Sequence, residues 1–487
     1  MPLVHRVLPP EPVASLDAYV EHFGGGRGLN AAREIGSERI IALLDKSGLR
    51  GRGGAGFPTG TKWRTVWDNR SAVLPSTVVV NGAEGEPGTL KDRTILRSNP
   101  YHVLEGALIA AIAVGADHVI VGLKRSFEKE AVRVQAAIDE LMAAGWSEDI
   151  KLELFLGPDE YLYGEETALL ETLDGRPPFP RIAPPFRRGF DEVVEHDDDV
   201  ATGSGLAAHV ETAGASDTQV APPALVDNVE TLANVPAILD RGPEWFRTAG
   251  TDKSPGTIVC TITGQVEHPG VTEVEMGTTL REAIELIGGG PVAGHTIVAL
   301  VPGVSNAFIP AALLDTPMTY EDMAGAGSGL GSAGFIVLDD TTDPVAAAAG
   351  VIRFLAVESC GQCTPCKQDG LALADLLRRL SLGEADARVI EEIRSRADTV
   401  ADGARCSIGT QQQVVVNGLL ERFAVRPGAT PHEPMLIAEL KELSETEVVI
   451  DTRHADKQPD WTYDDDWSGQ SPVDRLTDHR SDEPLEG

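Results

Sequence analysis

Three of the five cysteines fall together in Glu358-Ser359-Cys360-Gly361-Gln362-Cys363-Thr364-Pro365-Cys366, and a fourth, Cys406, follows beyond a helical segment. Three thiolates at Cys-x-x-Cys-x-x-Cys spacing plus one remote thiolate match the ligand count of a cubane 4Fe–4S cluster. A four-thiolate zinc site usually pairs its ligands as Cys-x-x-Cys twice, which this spacing does not do. Cysteine is too scarce overall for a disulfide framework, and Met1 to Pro10 lacks the basic-then-apolar pattern of a secretory leader. The chain must therefore fold around a metal centre that carries electrons, and a reducing cytoplasm is the expected compartment. Cys260 stands alone inside an alternating stretch and reads as a small buried hydrophobe.

A formal charge of -34 argues against a general nucleic-acid-binding surface. Its two local concentrations, Glu195 to Asp199 and the tail from Glu433 to Glu486, read as solvated surface or as contacts for a basic partner. No apolar run is long enough to span a bilayer. The nearest, Val103 to Val114, carries Glu105 and reads as a buried helix, so no direct membrane insertion is expected.

Ahead of the cysteines the pattern is strand–helix alternation. After a lead-in broken by Gly24-Gly25-Gly26 and a helical stretch at Glu38 to Leu44 comes Arg50-Gly51-Arg52-Gly53-Gly54-Ala55-Gly56-Phe57-Pro58-Thr59-Gly60-Thr61-Lys62-Trp63. Glycines there leave backbone N–H groups bare for a phosphate or a flat ring. Arg50, Arg52 and Lys62 add positive charge, and Phe57 and Trp63 offer stacking surfaces, so a nucleotide site is expected. Thr77 to Asn81 reads as a buried strand that ends in a loop bearing Glu84 and Glu86. Ligands of open α/β sheets bind at the carboxyl ends of strands, which places Asn81, Glu84 and Glu86 for ligand work. A helix at Tyr101 to Ala113, a strand at His118 to Gly122, a helix at Glu128 to Ala144 and a strand at Leu152 to Leu156 continue the alternation, predicting a mostly parallel sheet covered on both faces. Glu165 and Glu166 open the next helix, suited to its dipole or to ligand hydroxyls. Strands at Thr257 to Ile262, Thr296 to Val301 and Phe335 to Leu338, with a helix at Leu280 to Ile287, form a small α+β module. Helices from Pro344 to near Ser359, Lys367 to Leu380, Asp386 to Asp398 and Gln411 to Phe423 surround the cysteines. The expected division is a lead-in 1–37, an α/β domain 38–250 with an acidic insertion 191–220, an α+β module 251–340, a helical metal-bearing domain 341–425 and an acidic, largely irregular tail 426–487 with one strand at Glu447 to Ile450.

Five stretches together resemble the NADH-binding flavoprotein (diaphorase) subunits of respiratory complex I, NAD-dependent formate dehydrogenases and NAD-reducing hydrogenases. They are Gly51 to Gly60 with Lys62-Trp63; Gly85-Glu86-Pro87-Gly88 with Lys91-Asp92-Arg93; Gly164 to Leu169; Asn228-Val229-Glu230-Thr231-Leu232; and Glu358 to Cys366. The resemblance implies a Rossmann-like FMN domain, a ubiquitin-like module and a cluster-bearing helical bundle. It implies FMN held by Gly53, Lys62, Asn81, Glu84, Tyr161, Gly164, Glu165, Asn228 and Thr231. Phe57, Glu86, Glu166 and Phe186 would contact NADH, and Cys360, Cys363, Cys366 and Cys406 would ligate the 4Fe–4S cluster. Hydride would pass between NAD(H) and FMN, with no catalytic side chain demanded, and single electrons would pass to the cluster and on to iron–sulfur partner subunits. Ala83 stands where the family carries an aspartate, Asp227 replaces the first of two asparagines, and Ala183 stands where complex I chains often have lysine, with Arg181 or Arg187 as replacements. These departures point first to a soluble formate dehydrogenase-type complex with a molybdenum subunit. Complex I, a hydrogenase, a free-standing NADH reductase and a non-catalytic docking scaffold are the alternatives.

Overall fold

The computed structural model describes residues 4–71, 74–189, 222–423, 425 and 431–432. The acidic insertion, the strand expected at Glu447 to Ile450 and the tail tryptophans Trp461 and Trp467 lie outside them.

The β-branched run Ser76–Gly82 forms β1, the centre of a four-stranded, all-parallel sheet with Ala116–Lys124 (β2), Lys151–Gly157 (β3) and Ala224–Asn228 (β4). The strand order is β3-β2-β1-β4. The chain leaves β1 for β2 and β3 on one side, then returns to place β4 on the other, so the order reverses at the β1/β4 seam. Helix Pro100–Val114, apolar nearly all round, is buried between this sheet and helix Val229–Arg241. Its one acid explains how the lead-in is held. Glu105 accepts hydrogen bonds from the Tyr19 hydroxyl (2.7 Å), Gly26 N (3.0 Å) and Leu29 N (3.0 Å), tying helices Leu16–Phe23 and Arg27–Ile35 to the domain.

Thr257–Gly264 (β5), Gly270–Glu275 (β6), Ile297–Pro302 (β7), Ile309–Pro310 (β8) and Gly334–Asp339 (β9) build a mixed sheet in the order β6-β5-β9-β7-β8. Helix Leu280–Gly288 packs on β5 and β6 and starts with a capping box between Thr279 and Glu282. Strands β6 and β8 are absent from the sequence expectation: β6 carries Gly and Glu among its apolar residues, and β8 is two residues long. Helices Pro344–Glu358, Thr364–Ser381, Ala387–Thr399 and Ile408–Arg422 pack as a four-helix bundle. Ala346 to Ala349 let the first of these helices approach its neighbours closely, and all four alanines are buried. Among the described residues no helix is long and apolar enough to cross a membrane.

Candidate functional site

The seam where strand order reverses is the natural crevice of an open α/β sheet. There Asn81 at the end of β1 lies in register opposite Asn228 at the end of β4. A cleft of about 420 Å³ opens above them, within the usual range for ligand pockets. Gly53, Lys62, Asn81, Glu84, Tyr161, Gly164, Glu165, Asn228 and Thr231 all line it, as do Phe57, Glu86 and Glu166. Phe186 does not; its ring packs at the edge of the α/β core, with the Arg187 guanidinium 5.8 Å above it.

The glycine-rich loop is pinned by Gly51 N donating to Phe57 O (2.8 Å) and by a left-handed Gly56 (φ 61°), where a Cβ would run into the Tyr320 ring. Three side chains of the stretch Arg50 to Trp63, which runs from this loop into the helix Thr59–Asp68, act differently from the sequence expectation. Arg50 stacks on Tyr320 (4.0 Å) and pairs with Glu321 (3.4 Å). Arg52 is buried and donates to Arg50 O, Pro255 O and Thr257 O, fastening the loop to β5. Trp63 is wholly buried, donating its indole N–H to Asp227 (2.6 Å), so it offers no stacking face. Phe57, half exposed at the cleft, keeps that role open. Arg181 is likewise taken: its guanidinium bonds Glu171 (2.8 Å) and the carbonyls of Arg188 and Gly189.

Lys62, in the helix Thr59–Asp68 that follows the loop, is the cation of this stretch that reaches the cleft. It is held by Glu166, by Asp227 (3.5 Å) and by Val226 O (2.5 Å). Burial opposes its charge, but Glu166 and Asp227 outweigh burial and raise its pKa. Burial raises the Asp227 pKa against the pull of Lys62. Thus the replacement of asparagine by Asp227 is answered within the cleft wall by Lys62 and Trp63. Glu84 accepts Asp92 N (3.1 Å) and Arg93 N (3.2 Å) at the start of helix Lys91–Ser98. Burial, with the Asp92 charge, pushes Glu84 up to about 8. Glu165 caps helix Glu166–Leu173 through Thr167 N (3.0 Å) and Ala168 N (2.8 Å).

Glu86 reaches a different module: its oxygens accept Val304 N (3.1 Å) and the Ser332 hydroxyl (2.8 Å), both from the α+β unit. Ser332, Thr89, Lys91 and Asp92 also line the cleft. Lys91 is buried and donates to Asn228 Oδ1 (2.9 Å) and Asp92 (2.7 Å), with Glu230 at 3.1 Å. The Lys91-Asp92-Arg93 run was visible in the sequence, but its place in the cleft was not. Ser332 carries no sequence signal, because it joins the cleft from another module.

Cys360, Cys363, Cys366 and Cys406 surround one cavity, beside Pro180 and Arg405. As free thiols, Cys366 and Cys406 are pushed up to about 12, first by burial and then by the neighbouring sulfurs. Four sulfurs converging on one cavity, with Cys366 and Cys406 biased this way, are a donor set that a cationic centre would hold as thiolates, which fits an iron–sulfur cluster. The flavin-type cleft fits equally: apolar Ala83, Leu162 and Val226 face a polar rim, and Gly53 leaves room where a Cβ would stand 3.2 Å from Asn228. Cys406 and Ile408 belong to both walls, so the two cavities are neighbours across a single turn of chain.

Comparison with known proteins gives the same two parts and a third region between them. Residues 44–237 match the Nuo51 FMN-binding domain, 259–303 the SLBB domain and 346–426 the NADH-ubiquinone oxidoreductase-F iron-sulfur binding region. One of the NADH-quinone oxidoreductase F subunits of Rhizobium meliloti is 36% identical over 410 residues, covering 82% of this chain and 90% of that protein. The corresponding NADH-quinone oxidoreductase chain of Rickettsia felis is 37% identical over 403 residues, with 81% and 89% covered. Among solved structures, a chain of NAD+-reducing [NiFe]-hydrogenase in the H2-reduced state superposes with a TM-score of 0.72 at 29% identity, covering 91% of this chain and 72% of that one.

Proposed function

This chain belongs to the family of NADH-quinone oxidoreductase F subunits, and we propose that within it the chain serves as the NAD(H)-facing subunit of a soluble NAD-dependent formate dehydrogenase-type complex. As a family member it is an NADH-binding oxidoreductase subunit with FMN and a 4Fe–4S cluster. FMN, when bound, exchanges a hydride with NAD(H) and passes electrons singly, the form an iron–sulfur cluster takes.

The observation that carries the reading is the shared wall: Cys406 and Ile408 line both the cleft and the cysteine cavity. In this reading Gly53, Lys62, Asn81, Glu84, Tyr161, Gly164, Glu165, Asn228 and Thr231 hold FMN. Phe57, Glu86 and Glu166 receive NADH, Phe186 lying outside the cleft lining, and Cys360, Cys363, Cys366 and Cys406 ligate the cluster. The chain's own work is positional. Lys62, fixed from three sides, keeps a cation at the cleft floor. Glu165 and Glu84 use their carboxylates on helix N-termini and so set the cleft's shape. Phe57 offers an exposed ring at the mouth. Hydride exchange asks no side chain for a proton, and none is assigned one.

Ala83 and Asp227, both in the cleft lining, depart from the complex I pattern and support the formate-type assembly, with a molybdenum-bearing partner and a cytoplasmic setting. A complex I or hydrogenase assembly is the second reading, supported by the relatives' names and by the hydrogenase superposition. Co-purification and identification of the associated chains separates them. A molybdenum subunit is the expected result, while a nickel subunit or a membrane arm overturns the formate assignment. FMN at one per chain, with NADH-to-ferricyanide activity, is expected of any diaphorase, and an anaerobically purified colourless protein would sink the flavin reading altogether.

A further inference from the structure

Gln412 is an amide buried completely inside the helical bundle, where nothing in the hydride chemistry asks for one. Its Nε2 donates to Cys366 O (3.2 Å) and lies 3.5 Å from Cys366 Sγ. Both neighbours are acceptors, so the amino end of the side chain must face them. Its Oε1, by contrast, is buried with no hydrogen-bond partner. A buried polar atom left open is unfavourable, so the position holds an amide at a cost, and what that cost maintains is an N–H on a cysteine sulfur. The opposite helix is cut to fit: a Cβ at Gly370 would run into Gln412 Oε1. A second donor acts in the same sense, because Arg405 N lies 3.4 Å from Cys363 Sγ.

We propose that Gln412 is a positioning residue that sets the reduction potential of the cluster, raising it so that the cluster accepts electrons more readily. The inference rests on Cys366 being a cluster ligand. When a titrant such as dithionite gives up one electron and the cluster takes it, the four-sulfur shell becomes more negative by one charge. An N–H···S hydrogen bond strengthens with that charge and therefore favours the reduced form, and such bonds are among the features that set iron–sulfur potentials.

The test is a redox titration of the purified, FMN- and cluster-bearing protein, reading the reduced cluster by electron paramagnetic resonance. Gln412→Leu removes the donor, and Gly370→Ala displaces the amide without removing it. Each is expected to lower the reduced-to-oxidised ratio at fixed poise about tenfold, a fall of about 59 mV for one electron. An unmoved midpoint in cluster-bearing Gln412→Leu overturns the proposal. Loss of the cluster signal in both variants also overturns it, assigning Gln412 to assembly instead. A wild-type protein with no reducible cluster would defeat the ligand assignment itself, which is a distinguishable failure.

Discussion

Glu84 uses both carboxylate oxygens on backbone N–H groups, yet burial beside Asp92 lifts its pKa to about 8. Below the unfolded value near 4.5 the group is protonated in both states, and its contribution is constant. Between there and about 8 the folded chain keeps a proton the unfolded chain has lost, so stability falls as pH rises. The fall is at most about 1.4 kcal/mol per pH unit. Thermal unfolding of the FMN-free protein at a series of pH values should show this slope, and Glu84→Gln should flatten it; a parallel pair of curves would refute the assignment. Gly303 makes a sharper prediction. It is left-handed (φ 59°), and a Cβ there would run into the Glu86 carboxyl group. Gly303→Ala should destabilise by about 1–3 kcal/mol through strain at that backbone conformation. It should also raise the KM for NADH more than it lowers kcat, because it displaces Glu86 without touching the cysteines.

At the scale of elements, the helix that opens at Glu166 depends on the residue before it. Glu165→Ala leaves Thr167 N and Ala168 N without their acceptor and should cost about 1 kcal/mol, with Glu165→Gln recovering part of that; differential scanning calorimetry of the two variants checks the order. Elements of this kind were legible in the sequence. The strands β1, β2 and β3 announce themselves as apolar runs, and the cysteine spacing announces the cluster. Seating β4 against β1, which creates the cleft, is a long-range pairing that no local pattern encodes. Side-chain direction was also hidden. Arg52 stands in a loop rich in glycine, where neither a two-residue nor a 3.6-residue period says which way a side chain points, and Trp63 stands on the buried side of the short helix Thr59–Asp68 that follows it. Both turned into the core, one to carbonyls near β5 and one to Asp227. Ser332 and Val304 were beyond reach for another reason, since they meet Glu86 across more than two hundred residues of chain.

Across the whole molecule, three units meet at one cleft: the parallel sheet supplies its floor, the α+β module fixes Glu86, and the helical bundle contributes Cys406, Ser407, Ile408 and Gln411. Damage to one unit should therefore be felt in the next. Cys363→Ser should abolish the cluster's visible absorbance and lower the unfolding temperature of the bundle. It should also alter the circular dichroism of bound flavin, since the shared wall at Cys406 loses its anchor. Flavin signals unchanged in a cluster-free variant would show that the two sites are structurally independent.

The buried carboxylate of Glu105 has a practical consequence for anyone who trims this protein. It faces the Tyr19 hydroxyl and the N–H groups of Gly26 and Leu29, all from the first thirty residues. A truncation that begins at residue 38, ahead of the glycine-rich loop, would remove all three donors to Glu105 and the helices that cover it. The same cut would remove Leu16, Tyr19, Leu29 and Ala32 from the core they share with the apolar helix Pro100–Val114, so such a fragment should express poorly or aggregate. The lead-in is thus a plug for the flavin domain, and the smallest workable unit of this protein starts well before its first recognisable motif.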